Sequence, residues 1–254
     1  MHAASRDYDV AGLAADPARL SGVVSFDRPW LGDLTGLDVV HLQCHIGTDT
    51  LSLARLGGCV TGVDFSPSAL EVARDLAAAG GAEIRYLESE VYAVPEVLGA
   101  DFDLVYTGVG ALPWLPSIAD WALVVAGLLR PGGRLYVRDA HPMLLAVQES
   151  EGGALSVGLP YFEGNAQRWV SDLTYTDGPP IASPEQYEWN HGLGEIVQAV
   201  LDAGLQLTAL REHTECEWQA LPQMLEGADG KFRLPEGPER LPLMFTLEAV
   251  APTR

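Results

Sequence analysis

The chain has 254 residues, 15 Lys plus Arg against 35 Asp plus Glu, and a formal net charge of −20. That balance repels phosphate backbones and argues against free RNA or DNA as a partner. Its length and its 48% hydrophobic content suit one large domain, or a core with an insertion. The polar start, Ser5-Arg6-Asp7-Tyr8-Asp9, does not read as a signal peptide. No apolar run reaches the ~20 residues that would span a bilayer, so no membrane partner is expected. Cys44, Cys59 and Cys216 have neither metal nor CxxC spacing, and the histidines lack ligand spacing with cysteines or acids. The expectation is a reduced, cytoplasmic protein without a metal, with Cys44 and Cys59 packed as small hydrophobes in strands.

In chain order, residues 1–36 are irregular, with short helices expected at 10–13 and near 17–20. From residue 37 onward apolar runs alternate with helical spacing. Strands are expected at 37–43, 59–64, 83–87, 102–107 and 134–138. Helices are expected at 48–56, at 67–79 behind the cap Ser66, and at 117–129. Gly80-Gly81 ends the second of these helices and Pro131-Gly132-Gly133 the third. Residues 141–191 break the rhythm with Gly, Pro, aromatics and short alternating runs at 168–175 and 186–189, which read as an insertion built on a β-hairpin. A helix at 193–203, a strand at 205–212, a Gly/Pro-rich loop at 226–241 and a strand at 244–250 close the chain. Strands alternating with helices predict an α/β fold, a Rossmann-like and mostly parallel sheet with helices on both faces.

Ligands of such sheets bind beyond the carboxyl ends of the strands, at the switch in strand order. Here those ends carry His45–Gly47, Asp64-Phe65, Ser89-Glu90-Val91, Tyr106-Thr107-Gly108 and Asp139-Ala140-His141. A turn lets backbone approach a ligand, and the Asp64 carboxylate can accept bonds from both ribose hydroxyls. A βαβ unit with an acid also fits a nicotinamide-dependent oxidoreductase, so this signal alone leaves the cofactor open.

Taken together, these motifs resemble the class I S-adenosylmethionine-dependent methyltransferases, strongly over 37–138 and more loosely over 193–250. Residues 39–47 match that family's first motif, Asp64 its ribose acid, Glu90 its adenine-side acid and Val91 the next backbone donor. Phe102-Asp103-Leu104-Val105-Tyr106 matches its fourth-strand motif, and Leu128-Leu129-Arg130-Pro131-Gly132-Gly133 its most diagnostic turn. The resemblance implies a seven-stranded sheet whose last strand is antiparallel, with a β-hairpin insertion after strand five. His-Leu-Gln-Cys-His-Ile-Gly-Thr-Asp-Thr at 41–50 and Trp189-Asn190-His191 narrow it to a bacterial subgroup acting on small molecules. The departures are concrete: His41 stands where the family has an acid, and Gln43 and His45 where it has glycines.

The resemblance implies S-adenosyl-L-methionine as cofactor, held by Gln43, His45, Gly47, Asp64, Phe65, Glu90, Val91 and Tyr106. The activity implied is methyl transfer to a small-molecule acceptor; the altered loop leaves binding without catalysis as the alternative. His141, past strand five, is the first candidate for a base, with His45 the second, since an imidazole titrates near ~6.5. Trp114, His191 and Tyr8 are candidates to touch the acceptor. His141, His191 and His45 each have an equally ordinary packing or capping role, and His213 is expected to be structural. The expected organisation is one domain, 1–254: an N-terminal flap at 1–36, a cofactor-binding core at 37–140 and 192–254, and a substrate-roofing insertion at 141–191. A homodimer is left open.

Overall fold

In the structure, a computed structural model, residues 8–99, 101–149, 153–171 and 184–253 are described. Seven strands form its sheet: β1 (Asp38–Leu42), β2 (Cys59–Asp64), β3 (Arg85–Glu88), β4 (Phe102–Thr107), β5 (Leu129–Ala140), β6 (Gln206–His213) and β7 (Met244–Val250). Their spatial order is β6-β7-β5-β4-β1-β2-β3. All are parallel except β7, which pairs antiparallel with both β5 and β6. The order reverses between β1 and β4, and a crevice opens there because successive connections leave in opposite directions.

Helices cover both faces because alternate strand residues point to opposite sides. One layer joins Val40, Leu42, Val105, Val137 and Phe245 to α6 (Ile118–Leu128) and α8 (Leu193–Asp202). The other joins Val39, Leu104, Tyr106 and Tyr136 to α2 (Gly22–Leu31) and α3 (Thr48–Arg55). Each fully buried Val, Leu or Phe contributes about 1.5–3 kcal/mol relative to exposure. On the flank of this second layer, α1 (Val10–Ala15) lodges Leu13 against Leu51 of α3 and Leu76 of α4 (Pro67–Ala79).

Several expectations shift. The helix expected near 17–20 is a turn, with Arg19 N–H donating to Asp16 O. The second helix begins only at Gly22, because Ser21 is the residue whose hydroxyl caps it, accepting from Val24 N at 3.1 Å. Helix α6 ends at Leu128, before Pro131-Gly132-Gly133, and Leu129 already pairs with Phe102. Residues 130–133 loop out of the ladder, with Gly132 at φ +81 and its N–H on Ala251 O. The turn therefore kinks a strand instead of ending a helix. Cys44 is buried as expected, but Cys59 opens β2 and is exposed.

The insertion holds two small hairpins, Val147–Glu149 with Leu155–Val157 and Gln167–Val170 with Glu185–Glu188. The first was not foreseen, and the expected run to Tyr175 continues outside the described residues. The loop expected at 226–241 contains a short antiparallel pair, Leu225–Glu226 with Phe232–Arg233. It packs Phe232, Leu234 and Leu241 against Leu144 and Met244.

A buried polar knot clamps α2 to the sheet. Asp27 accepts from Tyr106 Oη at 2.6 Å, Tyr136 Oη at 2.9 Å and Arg138 Nε at 2.5 Å. Arg138, fully buried, also donates to Glu217 Oε2 at 3.0 Å and lies 4.3 Å over the Phe26 ring. Burial works against its charge, but the carboxylates of Asp27 and Glu217 hold its pKa above the usual value. Removing one partner leaves a buried charge uncompensated, which typically costs about 3–5 kcal/mol. Asp27→Ala is therefore expected to lose stability of that order in urea denaturation, with both tyrosine hydroxyls also stranded. A midpoint unchanged from wild type would show that the knot carries no such weight.

Candidate functional site

The loop after β1 decides the shape of the crevice. Gln43 and His45 stand where the family has glycines, yet their backbones keep the left-handed conformation, at φ +54 and +51. Such a conformation costs a non-glycine residue roughly 1–2 kcal/mol, so something must hold it. Gln43 Nε2 donates to Ala111 O at 2.9 Å, tying the loop to the segment after β4. His45 N–H donates to Asp64 Oδ2 at 2.8 Å, tying it to the end of β2. Gly47, at φ +78, starts α3 where a Cβ would meet Ala73 Cβ and Tyr86 Oη at 2.7 Å. Only glycine fits that position.

Asp64 is nearly buried, and its other oxygen accepts from Ser66 N–H at 2.9 Å. Burial raises its pKa, while the N–H donors of Ser66, His45 and Phe65 pull it down. Each carboxylate oxygen retains a further lone pair toward the crevice. Beside it Phe65 is 72% exposed, a large apolar side chain at a strand end. Glu90 is exposed and precedes the short turn of 3₁₀ helix Val91–Ala93, whose first residue is buried and which leads into α5 (Val94–Leu98).

Asp139, passed over as a site residue, organises the segment after β4. Its carboxylate accepts from Gly110, Ala111 and Leu112 N–H at 2.6, 3.0 and 2.8 Å, and from Ala140 N–H at 2.7 Å. An acid at the end of strand five was the only signal available, because its partners lie about 28 residues away in sequence. Trp114 follows in a 3₁₀ turn and is 43% exposed.

The histidines separate cleanly. His141 is buried at the start of α7 (Pro142–Ala146), and its Nδ1 accepts from Met143 N–H at 3.0 Å. In the neutral ring the proton then sits on Nε2, which lies 3.0 Å from Glu212 Oε1. Burial lowers the His141 pKa, and Glu212 works the other way. As arranged, His141 is a helix cap through Nδ1, and its Nε2 stands beside the Glu212 carboxylate. His191 is also spoken for: Nδ1 lies 2.7 Å from Glu163 Oε2 and Nε2 2.8 Å from Leu115 O. It fastens the insertion to the segment after β4, while Asn190 holds the insertion's own ends together by donating to Pro142 O and Pro160 O. His213 Nε2 meets Thr246 Oγ1 at 2.9 Å between β6 and β7, a structural position as expected.

The structure thus brings Gln43, His45, Gly47 and Asp64 together, and adds Tyr8, whose ring packs on His45 at 5.4 Å between centroids. It corrects Tyr106. That side chain turns into the opposite layer, fully buried, stacks on Tyr136 at 5.7 Å and donates to Asp27. Strand alternation explains the error: the preceding and following residues, Val105 and Thr107, face the other way. Thr107 Oγ1 and Gln43 Oε1 are buried without a hydrogen-bond partner among the described residues. Both lie at the adjoining ends of β4 and β1. Cys44's thiol is pushed up by burial and is inert packing.

The fold and the strand-end constellation define a class of cofactor-binding α/β proteins, and the comparisons narrow it. Residues 39–133 match the family model described as a methyltransferase domain. A demethylmenaquinone methyltransferase of Lactococcus lactis subsp. lactis is 31% identical over 149 residues, covering 52% of this chain and 57% of that protein. A ubiquinone biosynthesis O-methyltransferase of Nitrosococcus oceani is 34% identical over 103 residues, covering 41% and 43%. The chain spans about half the length of these curated relatives. Among solved structures, an S-adenosylmethionine-dependent methyltransferase of Mesorhizobium loti superposes with a TM-score of 0.62 at 22% identity, covering 89% of this chain and 96% of that one. A glycopeptide N-methyltransferase solved with S-adenosylmethionine gives 0.58 at 18%, covering 90% and 94%. Over residues 39–133 the chain is similar to methyltransferase domains, and its fold is the one that these S-adenosylmethionine-dependent methyltransferases share.

The loop geometry carries a direct expectation. Gly47→Ala forces a strained backbone and a steric overlap at once, which costs about 1–3 kcal/mol. It is expected to lower the thermal midpoint by several degrees while the far-ultraviolet spectrum stays that of a folded α/β protein. An unchanged midpoint would mean that the loop relaxes freely and is not held as described.

Proposed function

We propose that this protein transfers a methyl group from S-adenosylmethionine to a small-molecule acceptor. The observation that carries the reading is the left-handed β1–α3 loop, hydrogen-bonded to Asp64 at the switch in strand order. The residues present fit the cofactor. Asp64 keeps lone pairs for ribose hydroxyls, Phe65 offers an apolar face for the base, and Glu90 with Val91 N–H lies at the adjoining strand end. The buried, unpartnered Gln43 Oε1 and Thr107 Oγ1 border the place reserved for the methionine end. Bound there, S-adenosylmethionine would supply a methyl group already activated by its sulfonium.

What remains for the chain is to place an acceptor atom in line, exclude water and hold both partners still. Residues 141–191 are proposed as the roof, supported by the His191 tie to Leu115 O after β4. Residues 1–36 are proposed as a flap, supported by Tyr8 on His45. Trp114 gives the acceptor side an aromatic wall. An aromatic acceptor of modest size suits that wall, and the names of two relatives point to quinone biosynthesis. Approximation, not base catalysis by His141, is the proposed source of rate, because Nδ1, the nitrogen that would take up a proton, already accepts from Met143 N–H. The setting proposed is cytoplasmic, and a homodimer is required by no step. The similarity of residues 39–133 to methyltransferase domains favours S-adenosylmethionine over a nicotinamide cofactor.

Cofactor binding without chemistry is the second reading, favoured by Gln43 and His45 in place of glycines. Labelled S-adenosylmethionine with a panel of phenols, quinols and amines separates the two: product with any acceptor supports transfer, and tight binding with no product across the panel supports the rival. The binding step has its own check. At ligand near 100 times Kd, S-adenosylhomocysteine is expected to stabilise the protein by about 2.7 kcal/mol. Asp64→Ala should abolish that gain, and NAD should give none. Stabilisation by NAD alone would overturn the proposal.

A further inference from the structure

Asp49 lies in the first turn of α3, two residues after Gly47, half-buried with its Oδ2 facing Gly108 after β4. The Ser21 side chain of α2 lies on its other side and favours the ionised form. The charged groups around it are Asp27 of α2, Arg138 of β5 and Glu217 of the segment after β6, with the Tyr106 hydroxyl of β4 behind. The cations of this group are already taken. Arg138 pairs with Asp27 and Glu217, and Lys231 pairs with Glu217 at 2.9 Å. Three carboxylates thus face two cations, and Asp49 is the one with no ion-pair partner among the described residues.

A second, independent feature points into the same place. His41 is 3% exposed, and its Nδ1 lies 2.9 Å from Thr50 Oγ1. Its Nε2 has no hydrogen-bond partner among the described residues, and burial lowers its pKa to about 3, so the ring is neutral. In the tautomer that donates from Nδ1 to Thr50, Nε2 is a bare acceptor. Gly108 fixes the spacing. A Cβ placed on it would lie 3.3 Å from Asp49 Oδ2 and 3.6 Å from His41 Nε2. With no side chain at Gly108, a carboxylate oxygen and an imidazole nitrogen border one small space. A charge that lacks a cation, beside a neutral acceptor, matches a hydrogen-bonding cation of ammonium size.

We propose that Asp49, assisted by His41 Nε2, binds the α-ammonium of S-adenosylmethionine. This rests on the methyl-transfer reading, which puts the methionine end at the Gly47 loop. The strand-one position where the family carries an acid holds a neutral histidine here, and Asp49 supplies the negative charge from the neighbouring helix. Burial pushes the Asp49 carboxyl up to about 6, against the opposing pull of the Ser21 side chain. Only the ionised form pairs with an ammonium, so binding releases the proton carried below that pH. Cofactor affinity therefore weakens as pH falls through about 6 and levels off above it.

Calorimetric titration tests this with two probes. S-Adenosylhomocysteine carries the ammonium; 5′-methylthioadenosine lacks the whole amino-acid end. Wild type is expected to bind the first several-fold more weakly near pH 5 than near pH 7.5. Asp49→Asn is expected to bind it about tenfold or more weakly near pH 7.5, with that pH dependence gone. Methylthioadenosine should bind both proteins alike at both pH values, which also shows that the variant is folded. Equal affinity of wild type and Asp49→Asn for S-adenosylhomocysteine overturns the proposal, as does an equal loss for both probes. A variant defective only with amine acceptors would assign Asp49 to the acceptor and overturn it too. Failure of wild type to bind either probe would sink the methyl-transfer reading itself.

Discussion

The hydrogen bond from His45 N–H to Asp64 is the constraint on which the crevice depends. It ties the loop after β1 to the end of β2 and holds two non-glycine residues in a conformation they would otherwise avoid. Without it, Gln43 and His45 would gain by relaxing to negative φ, and the turn into α3 would shift. Asp64 thus has two tasks at once: it braces the loop with backbone donors and leaves lone pairs for a ligand. Strain of this kind persists only where surrounding structure over-determines it, and it concentrates at binding sites. The replaced glycines are therefore not a lost motif. The same backbone is reached by different side chains, with Gln43 recruited to brace the loop against Ala111.

A second brace acts from the other layer. Asp27 and Arg138 lock α2 under β4 and β5, and Glu217 and Lys231 extend the lock to the segment after β6. The knot is a buried ion pair with neutral donors completing its shell, an arrangement that specifies geometry more than it adds stability. It fixes where Ser21 and Asp49 stand relative to the strand ends. The N-terminal region, the sheet and the C-terminal segment are thereby made to agree on one position at the crevice. Asp139 does the same for the segment after β4, gathering three consecutive N–H groups that would otherwise be free to wander.

Much of the sheet was legible because its signals are local. The apolar runs at 59–64, 102–107 and 244–250 match β2, β4 and β7 residue for residue, and the Ser66 cap placed α4 from 67 to 79. The antiparallel last strand followed from resemblance, not from pattern. What failed was of another kind. Tyr106 was misplaced because a strand end shows two faces and sequence does not say which one meets the ligand. His141 and His191 read as chemistry because their partners, Glu212 and Glu163, are far from them in the chain. Asp27 and Asp139 were silent for the same reason, since a buried carboxylate is explained only by donors that folding brings to it. The second helix was misplaced because a turn at Asp16 and a cap at Ser21 lie only five residues apart.

The central claim is that the loop after β1 and Asp64 hold S-adenosylmethionine by its ribose and methionine end. A crystal structure with S-adenosylhomocysteine tests it most directly. The account predicts density at the joined ends of β1, β2 and β4, with ribose hydroxyls on Asp64 and the amino-acid end beside Gly47 and Gly108. Density elsewhere on the molecule, or a ribose placed away from Asp64 in fully occupied crystals, would contradict it.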